Sequence, residues 1–258
     1  MNWRLGVVGY PIGHSLSPRL HEAGLAIAGL EGTSQRIELK EDQVEQLRRL
    51  LGSSFDALSV TMPLKRVAAG LCIELDEVAL RTGVVNSLLV RGGEVHGACT
   101  DGRGFVASLR AQFGANVEGM NALVLGAGGA AWGIVDALVE AKVGAVSIEG
   151  RSAAKVEEIC RQYPNVVTAS KAGHLDLLVN TVPVGGRGVE APHEGVSTAT
   201  ICVDIAYEPE FSPWLAQHEA AGCRVANGLA MLAYQAALQM QWWWNTPIDG
   251  ARLLEAIR

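Results

Sequence analysis

The stretch Ala122-Leu123-Val124-Leu125-Gly126-Ala127-Gly128-Gly129-Ala130-Ala131 decides the fold, because a strand-like run leads directly into a glycine-rich turn. Helix-forming residues follow as far as Ala141, and a second strand is predicted from Ala145 to Ile148. A Gly-x-Gly-x-x-Ala pattern between a strand and a helix is typical of dinucleotide-binding folds. Its glycines permit a tight turn and let backbone N–H groups approach a pyrophosphate at the positive end of the helix. We therefore predict that a dinucleotide cofactor is bound by Gly126, Ala127, Gly128, Gly129 and Ala130.

The end of the second predicted strand bears on which dinucleotide binds, and its residues give opposing signals. Glu149 lies about 20 residues past the glycines, where a carboxylate would bind a ribose 2′-hydroxyl and favour NAD. Arg151 and Ser152 follow, and a guanidinium with a hydroxyl suits a 2′-phosphate. Spacing alone cannot separate Glu149 from Arg151. We expect NADP, bound by Arg151 and Ser152, with NAD as the alternative.

Outward from this motif, the chain is predicted to form two α/β domains. Further apolar strands are expected at 175–180 and 201–205, and strands that alternate with helices indicate a doubly wound parallel sheet of the Rossmann type. Strand-like and helical runs also alternate before residue 100, and the segment 229–258 is helical. We expect a substrate domain of residues 1–100, completed by 229–258 returning to it, and an NADP-binding domain of residues 101–228.

Composition and charge narrow the classes of function. The chain has 258 residues, 49% of them apolar, and its net charge of −6 argues against a nucleic-acid binder, which needs a basic face. The five cysteines form no CxxC pair, which favours reduced thiols in the cytoplasm over disulfides or a metal site. The apolar run 229–244 is shorter than the roughly 20 residues that span a bilayer. We therefore expect a cytoplasmic protein that uses neither a metal nor a membrane.

Two serines stand where the first helix is predicted to begin. Ser17 is the expected N-cap, and Pro18 the expected first helical residue. Hydroxyls at such a position, together with free backbone N–H groups and the helix dipole, form a small anion site suited to a carboxylate. We predict that Ser15 and Ser17 bind a substrate carboxylate, with simple capping by Ser17 as the alternative.

Lys65 and Asp101 are the candidate proton-transfer groups. Lys65 closes the string Ser59-Val60-Thr61-Met62-Pro63-Leu64-Lys65, and Asp101 lies in Thr100-Asp101-Gly102. Alternatively, Lys65 is an ordinary surface lysine and Asp101 caps a helix predicted to begin near Gly104. An ammonium can stabilise negative charge that grows on a carbonyl oxygen, or donate a proton to it. Such groups beside a nucleotide-binding motif favour a reductase.

Together these strings resemble the shikimate dehydrogenase family over essentially the whole chain. Gly9-Tyr10-Pro11-Ile12-Gly13-His14-Ser15-Leu16-Ser17-Pro18 is similar to the family's substrate-carboxylate loop, and Val60-Thr61-Met62-Pro63-Leu64-Lys65 to its catalytic-lysine segment. The tail Asn227-Gly228-Leu229-Ala230-Met231-Leu232-Ala233-Tyr234-Gln235 resembles the family's final helix, and Val203-Asp204-Ile205-Ala206-Tyr207-Glu208-Pro209 the segment before it.

The resemblance implies the reversible, NADPH-dependent reduction of 3-dehydroshikimate to shikimate in aromatic amino-acid biosynthesis. Lys65 and Asp101 would bracket the reacting oxygen. The carboxylate would be held by Ser15, Ser17 and Tyr207. The ring hydroxyls would be contacted by Thr61, Asn86 and Gln235. The nicotinamide side would be lined by Gly228 and Met231.

Some positions depart from the family's usual residues and keep alternatives open. The family commonly has asparagine where this chain has Glu22, Ser59 and Cys99, and threonine where it has Ser87. Gly150-Arg151-Ser152 replaces a common Asn-Arg-Thr run. A relative that oxidises quinate or an aminoshikimate therefore remains an alternative, and a regulatory NADP-binding protein without turnover a more remote one.

The run Trp242-Trp243-Trp244 cannot lie on a single face, because adjacent helical residues point about 100° apart. Its rings either pack simply onto the first domain or reach a domain or subunit contact. The sequence is compatible with a monomer or a homodimer.

Overall fold

The computed structural model describes residues 2–169, 173–183 and 194–258. The chain divides into two compact units, one of residues 1–105 with 232–258 and the other of residues 106–231. These divisions fall a few residues after the predicted boundaries, because each predicted boundary lies next to a helix that runs past it. We call the two parts unit 1 and unit 2.

Unit 1 contains a mixed six-stranded sheet with strand order β2-β1-β3-β5-β6-β4. Pairing is parallel between β1 and its neighbours and antiparallel from β3 through β5 to β6. β5 and β6 are joined by a tight hairpin turn in which Gly92 and Gly93 both have positive φ. The elements are β1 (Asn2–Gly9), α1 (Ser17–Ala28), β2 (Glu31–Glu38), a 3-10 turn (Glu41–Gln43), α2 (Val44–Leu50), β3 (Ala57–Val60), α3 (Lys65–Ala69), β4 (Glu74–Leu75), α4 (Glu77–Thr82), β5 (Ser87–Arg91) and β6 (Glu94–Ala98).

Two predicted helix starts are wrong by a few residues. Helix α1 has Leu16 rather than Ser17 as its N-cap, and no side chain caps its backbone. Ser17 is therefore the first helical residue, and its hydroxyl is not used for capping. Helix α5 (Asp101–Phe113) begins at Asp101 and not near Gly104, so Asp101 lies in the first turn of the helix.

Unit 2 contains a six-stranded sheet, entirely parallel, with strand order β12-β11-β10-β7-β8-β9. Two strands follow β7 on one side and three on the other, which is the order of a doubly wound dinucleotide-binding fold and confirms the predicted class. The central strands β10 and β11 are buried along their whole length, as expected with helices on both faces. The elements are β7 (Asn121–Leu125), α6 (Gly129–Glu140), β8 (Ala145–Glu149), α7 (Ala153–Gln162), β9 (Val166–Thr168), β10 (Leu177–Asn180), β11 (Ile201–Asp204), α8 (Pro213–Ala220) and β12 (Arg224–Asn227).

The chain ends in two helices, α9 (Leu229–Trp244) and α10 (Gly250–Ile257). The three tryptophans at the end of α9 pack inside unit 1: Trp243 lies edge-on to His21 at 5.2 Å, and Trp244 lies 6.0 Å from Trp3. The Arg91 guanidinium stands over the ring of Trp242. These contacts account for the tryptophan run by packing within one unit. No helix in the described part of the chain is long and apolar enough to cross a membrane.

Candidate active site

Lys65 and Asp101 form an ion pair in unit 1. The Lys65 Nζ donates to Asp101 Oδ2 at 2.5 Å, and the two side chains are 15% and 7% exposed. Lys65 opens α3 and Asp101 opens α5, so each group sits at the start of a helix. A largely buried charge pair that retains slight exposure on the lysine can exchange a proton with a bound ligand. The structure thus brings together the two residues predicted for proton transfer.

Asn86 fixes the other oxygen of this carboxylate. Its Nδ2 donates to Asp101 Oδ1 at 3.0 Å and also lies 2.9 Å from Gln235 Oε1. Its own Oδ1 accepts from the backbone N–H of Thr100 at 2.8 Å. Asp101 therefore has one oxygen bound by a cation and one by an amide, which defines the orientation of the carboxylate. Three predicted residues, Lys65, Asn86 and Gln235, thus meet around Asp101 either directly or through one partner.

Helix α9 can deliver Gln235 to this site only because α5 carries a glycine beside it. A Cβ added at Gly104 would lie 2.5 Å from backbone atoms of Gln235. The absence of a side chain at Gly104 therefore sets how closely the two helices approach.

Thr61 and the two serines present hydroxyls in the same unit. Thr61 follows β3, and its hydroxyl makes no hydrogen bond to any residue that the structure describes. Ser15 and Ser17 are 6% and 7% exposed, and the Ser15 hydroxyl donates to the Ser17 hydroxyl at 3.3 Å. The first turn of α1 contains no acidic residue. An anion at this helix end would therefore meet hydroxyls and backbone N–H groups without an opposing charge.

A series of largely buried hydrogen bonds that the sequence did not predict lies behind the site. His21 Nδ1 lies 2.7 Å from Ser34 Oγ, and His21 Nε2 lies 2.8 Å from Ser59 Oγ. Ser59 in turn donates to Gln239 Oε1 at 2.5 Å, and Gln239 Nε2 donates to the backbone oxygen of Asn86 at 2.9 Å. Both His21 and Gln239 are fully buried. These hydrogen bonds connect α1, β3 and α9 to the backbone of Asn86 in the site.

The direction of these hydrogen bonds fixes the tautomer of His21. A carbonyl oxygen can only accept, so Gln239 turns its Nε2 towards Asn86 and its Oε1 towards Ser59. The single hydroxyl hydrogen of Ser59 is then used on Gln239, so His21 Nε2 must be the N–H donor to Ser59. His21 Nδ1 accepts from the Ser34 hydroxyl. Burial lowers the pKa of His21 from its ordinary 6.5 to about 3, which keeps the ring neutral.

The spacing of residues in the sequence could have indicated this series of hydrogen bonds. His21 follows Ser17 by one helical turn, and Gln239 follows Gln235 by one turn, so each pair shares a helix face. Two glutamines on one face of a mainly apolar helix indicate a polar partner on the buried side.

The glycine-rich turn of unit 2 has the form that a dinucleotide needs. Gly126 adopts φ of 104°, a conformation that favours glycine, and an added Cβ there would collide with Thr181 Oγ1. Gly128 is the N-cap of α6, with no side chain capping the helix and no atom near an added Cβ. The turn follows β7, which pairs with β10 at the centre of the sheet. The strands after β7 extend to one side of this pair and the strands after β10 to the other, and this reversal is the usual position for a bound nucleotide. Uncapped N–H groups at an open turn fit a pyrophosphate.

The residues after β8 border this turn. The backbone N–H of Gly126 donates to the backbone oxygen of Glu149 at 2.7 Å, which places the end of β8 beside the glycines. Ser152 caps α7 by accepting from the N–H of Lys155 at 3.4 Å. Arg151 is exposed, and its guanidinium makes no hydrogen bond or ion pair with any residue in the described ranges. The chain can therefore offer a cation and a hydroxyl to an adenosine phosphate, although capping already engages Ser152.

The remaining predicted residues also belong to unit 2. Tyr207 is half-buried and follows β11, where Asp204 accepts hydrogen bonds from the N–H of Ala206 and the Ser212 hydroxyl. Burial raises the pKa of Asp204. An added Cβ at Gly228 would collide with the backbone oxygen of Ile205, so the chain passes there without room for a side chain. Met231 is buried. Their roles towards a ligand remain predictions.

Family models and individual relatives that match this sequence all point to the same family. A model of the shikimate dehydrogenase substrate binding domain matches residues 7–88, and a model named shikimate / quinate 5-dehydrogenase matches residues 108–184. The NADP(+) shikimate dehydrogenase of Exiguobacterium sp. (strain ATCC BAA-1283 / AT1b) is 33% identical over 264 residues, covering 98% of each chain.

Solved structures agree with this match. Shikimate 5-dehydrogenase from Thermus thermophilus, in complex with NADP(H) and shikimate, superimposes with a TM-score of 0.89 at 32% identity, covering 98% of each chain. The ligand-free 5-ketofructose reductase of Gluconobacter sp. strain CHM43 superimposes with a TM-score of 0.84 at 25% identity, covering 100% of this chain and 98% of the other. Since relatives above 30% identity align along nearly its whole length, this chain belongs to the shikimate dehydrogenase family.

Proposed function

We propose that this protein catalyses the NADP-dependent, reversible reduction of 3-dehydroshikimate to shikimate. The observation that carries the proposal is the Lys65–Asp101 pair, oriented by Asn86, in a unit that also presents Ser15, Ser17 and Thr61 hydroxyls. The names of the relatives and the NADP(H)–shikimate complex of the Thermus thermophilus protein support the same reaction. NADP(H), when bound, supplies or accepts the hydride.

The protein's own residues would stabilise the charge on the substrate oxygen and transfer the proton. As the carbonyl of 3-dehydroshikimate is reduced, negative charge grows on its oxygen, and the Lys65 ammonium stabilises that charge and donates a proton to it. In the reverse direction the neutral Lys65 amine, the form left after proton donation, accepts the hydroxyl proton. Asp101 holds the ammonium in place at 2.5 Å, and Asn86 prevents the carboxylate from turning away. Thr61 and Gln235 offer hydrogen bonds to the ring hydroxyls, and Ser15, Ser17 and Tyr207 to the carboxylate.

The cofactor preference is proposed as NADP, with Arg151 and Ser152 contacting the 2′-phosphate. Gly126, Ala127, Gly128, Gly129 and Ala130 would hold the pyrophosphate, while Gly228 and Met231 would line the nicotinamide. The Arg151 guanidinium is exposed and makes no hydrogen bond or ion pair with a described residue, which supports a phosphate partner. Capping by Ser152 leaves the arginine as the stronger of the two contacts.

The test is turnover by the purified protein, followed through the near-ultraviolet absorbance of the reduced nicotinamide. Shikimate and quinate are each offered with NADP⁺ and with NAD⁺. We expect the highest kcat/KM for shikimate with NADP⁺. Higher kcat/KM with quinate would assign the protein to the alternative substrate, and folded protein without turnover on either would reject the proposed reaction. We expect a protein that works in the cytoplasm as a monomer or homodimer.

A further inference from the structure

The anion site at the start of α1 is built from neutral groups. Ser15 and Ser17 contribute hydroxyls, and the Ser17 backbone N–H donates to the Ser15 hydroxyl at 3.3 Å. A site made only of hydroxyls can bind a carboxylate, but it can also accept a neutral hydroxyl from a sugar. Discrimination between these two substrate classes requires a charge nearby.

Arg36 brings such a charge to the loop. It lies on β2, opposite Val7 of β1, and both its Nε and its Nη2 donate to the backbone oxygen of Ser15, at 2.9 and 2.6 Å. Ser34, two residues earlier on the strand, points to α1 through its bond to His21, so the alternation of the strand directs Arg36 to the same helix. The guanidinium is thus fixed directly behind the residue that presents the first hydroxyl.

The charge of Arg36 is not neutralised by another residue in the described ranges. No carboxylate there pairs with its guanidinium. A guanidinium has five N–H donors, and two of them are used on Ser15, which leaves the others facing away from that carbonyl. A fixed guanidinium with free donors and an uncompensated charge attracts an anion.

We infer that Arg36 is a specificity-determining residue that selects carboxylate-bearing substrates at the Ser15–Ser17 site. The inference rests on the proposed function and extends it by naming the residue that separates an anionic substrate from a neutral polyol. It acts by charge, and it also holds Ser15 in position. The 25% identical 5-ketofructose reductase structure shows why the distinction matters within this fold, since its name specifies a neutral sugar.

Two variants separate charge from positioning. Arg36→Gln removes the charge but keeps an N–H donor for the Ser15 oxygen, whereas Arg36→Lys keeps the charge but loses the two-pronged geometry. Arg48→Gln serves as the matched control, because Arg48 is an exposed cation on α2 that pairs only with Glu45 among the described residues. Each protein is titrated calorimetrically with shikimate and with its uncharged methyl ester, and its kcat and KM are measured for both.

We expect Arg36→Gln to weaken shikimate binding on the order of tenfold, the scale of one partly screened charge, with little change in kcat. Affinity for the methyl ester should stay within about twofold, Arg36→Lys should lie close to wild type, and added salt should weaken shikimate binding in wild type more than in Arg36→Gln.

Equal losses for shikimate and the ester in Arg36→Gln would overturn the inference, because a purely structural role affects both ligands alike. An unchanged affinity for shikimate would overturn it as well. A wild-type protein that binds shikimate but does not turn it over would reject the proposed function and still test Arg36 through binding. A wild-type protein that binds neither ligand would remove both.

Discussion

The buried histidine behind the site makes a specific prediction about stability at acidic pH. His21 is fully buried, its ring is neutral, and both nitrogens are used by serine hydroxyls. Burial lowers its pKa from 6.5 to about 3, whereas the unfolded chain titrates near the ordinary value. Between these two pKa values the unfolded chain binds a proton that the folded protein does not. Stability from this group is therefore complete above pH 6.5 and declines as the pH falls towards 3.

The magnitude follows from the two pKa values. Lowering the pH from 7 to 5 should reduce the free energy of unfolding by about 2 kcal/mol through His21 alone. That is a large fraction of the roughly 5–15 kcal/mol that stabilises a typical domain. The loss arises from desolvation of a buried cation, so added salt should change it little, unlike the contribution of a surface pair.

The assay is urea unfolding of wild type and of His21→Gln at both pH values. Other titrating groups act equally in both proteins, so the difference between their pH dependences isolates His21. We expect the variant to be less stable at pH 7 but to lose about 2 kcal/mol less than wild type on acidification. His174→Gln removes an exposed histidine that pairs with Asp176, and it should retain the wild-type pH dependence.

Two results would refute this reasoning. One is an equal loss of stability on acidification in wild type and His21→Gln. The other is direct observation by NMR of a His21 ring that takes up a proton near pH 6.5 in the folded state, a measurement that does not require the variant to fold. The same spectra report the tautomer, and a proton on Nδ1 in place of Nε2 would contradict the hydrogen-bond directions deduced for Ser59 and Gln239.

Three further predictions concern the site itself. Lys65→Ala should lower kcat by roughly 10²–10⁴-fold with the fold intact. The control Arg48→Ala, which removes an exposed cation, should leave kcat unchanged. Near-normal turnover by folded Lys65→Ala would exclude the lysine from the mechanism. Arg151→Ala should raise the KM for NADPH more than that for NADH, and equal changes in steady-state assays would mean that it does not contact the 2′-phosphate. Gly104→Ala should cost about 1–3 kcal/mol by forcing α5 from α9, while Gly70→Ala, where an added Cβ meets nothing closer than 3.5 Å, should unfold at nearly the wild-type temperature.

Local patterns predicted what local physics decides. The glycine turn after β7 needed only a strand, a helix and residues that tolerate the turn, and Gly126 has the positive φ that the turn requires. The predicted start of α1 was wrong because neighbouring residues can each occupy the N-cap position. Leu16 occupies it without a side-chain hydrogen bond, although Ser17 is the better capping residue in isolation.

Long-range partners were beyond the sequence. His21 and Ser59 are 38 residues apart, and Ser59 and Gln239 are 180 apart, so no spacing rule links them. The bond from Arg36 to the Ser15 oxygen depends on the register of β2 against β1, which no local pattern specifies. Lys65 and Asp101, 36 residues apart, were assigned from the chemistry of their side chains beside a nucleotide-binding motif and from the strings that resemble the family, and no spacing rule paired them.

The departures from the family at Ser59 and Cys99 bear on whether the site can still work. Asp101 accepts from Lys65 on one oxygen and from Asn86 on the other, so an amide at position 99 is not required to orient the carboxylate. Burial raises the pKa of the Cys99 thiol, which therefore stays neutral and adds no charge beside the pair. Ser59 takes part in the chain from His21 to Gln239, where its one hydroxyl connects a donor to an acceptor. An asparagine in its place would need two atoms, Oδ1 to accept from His21 and Nδ2 to donate to Gln239, whereas the serine serves both partners with a single oxygen.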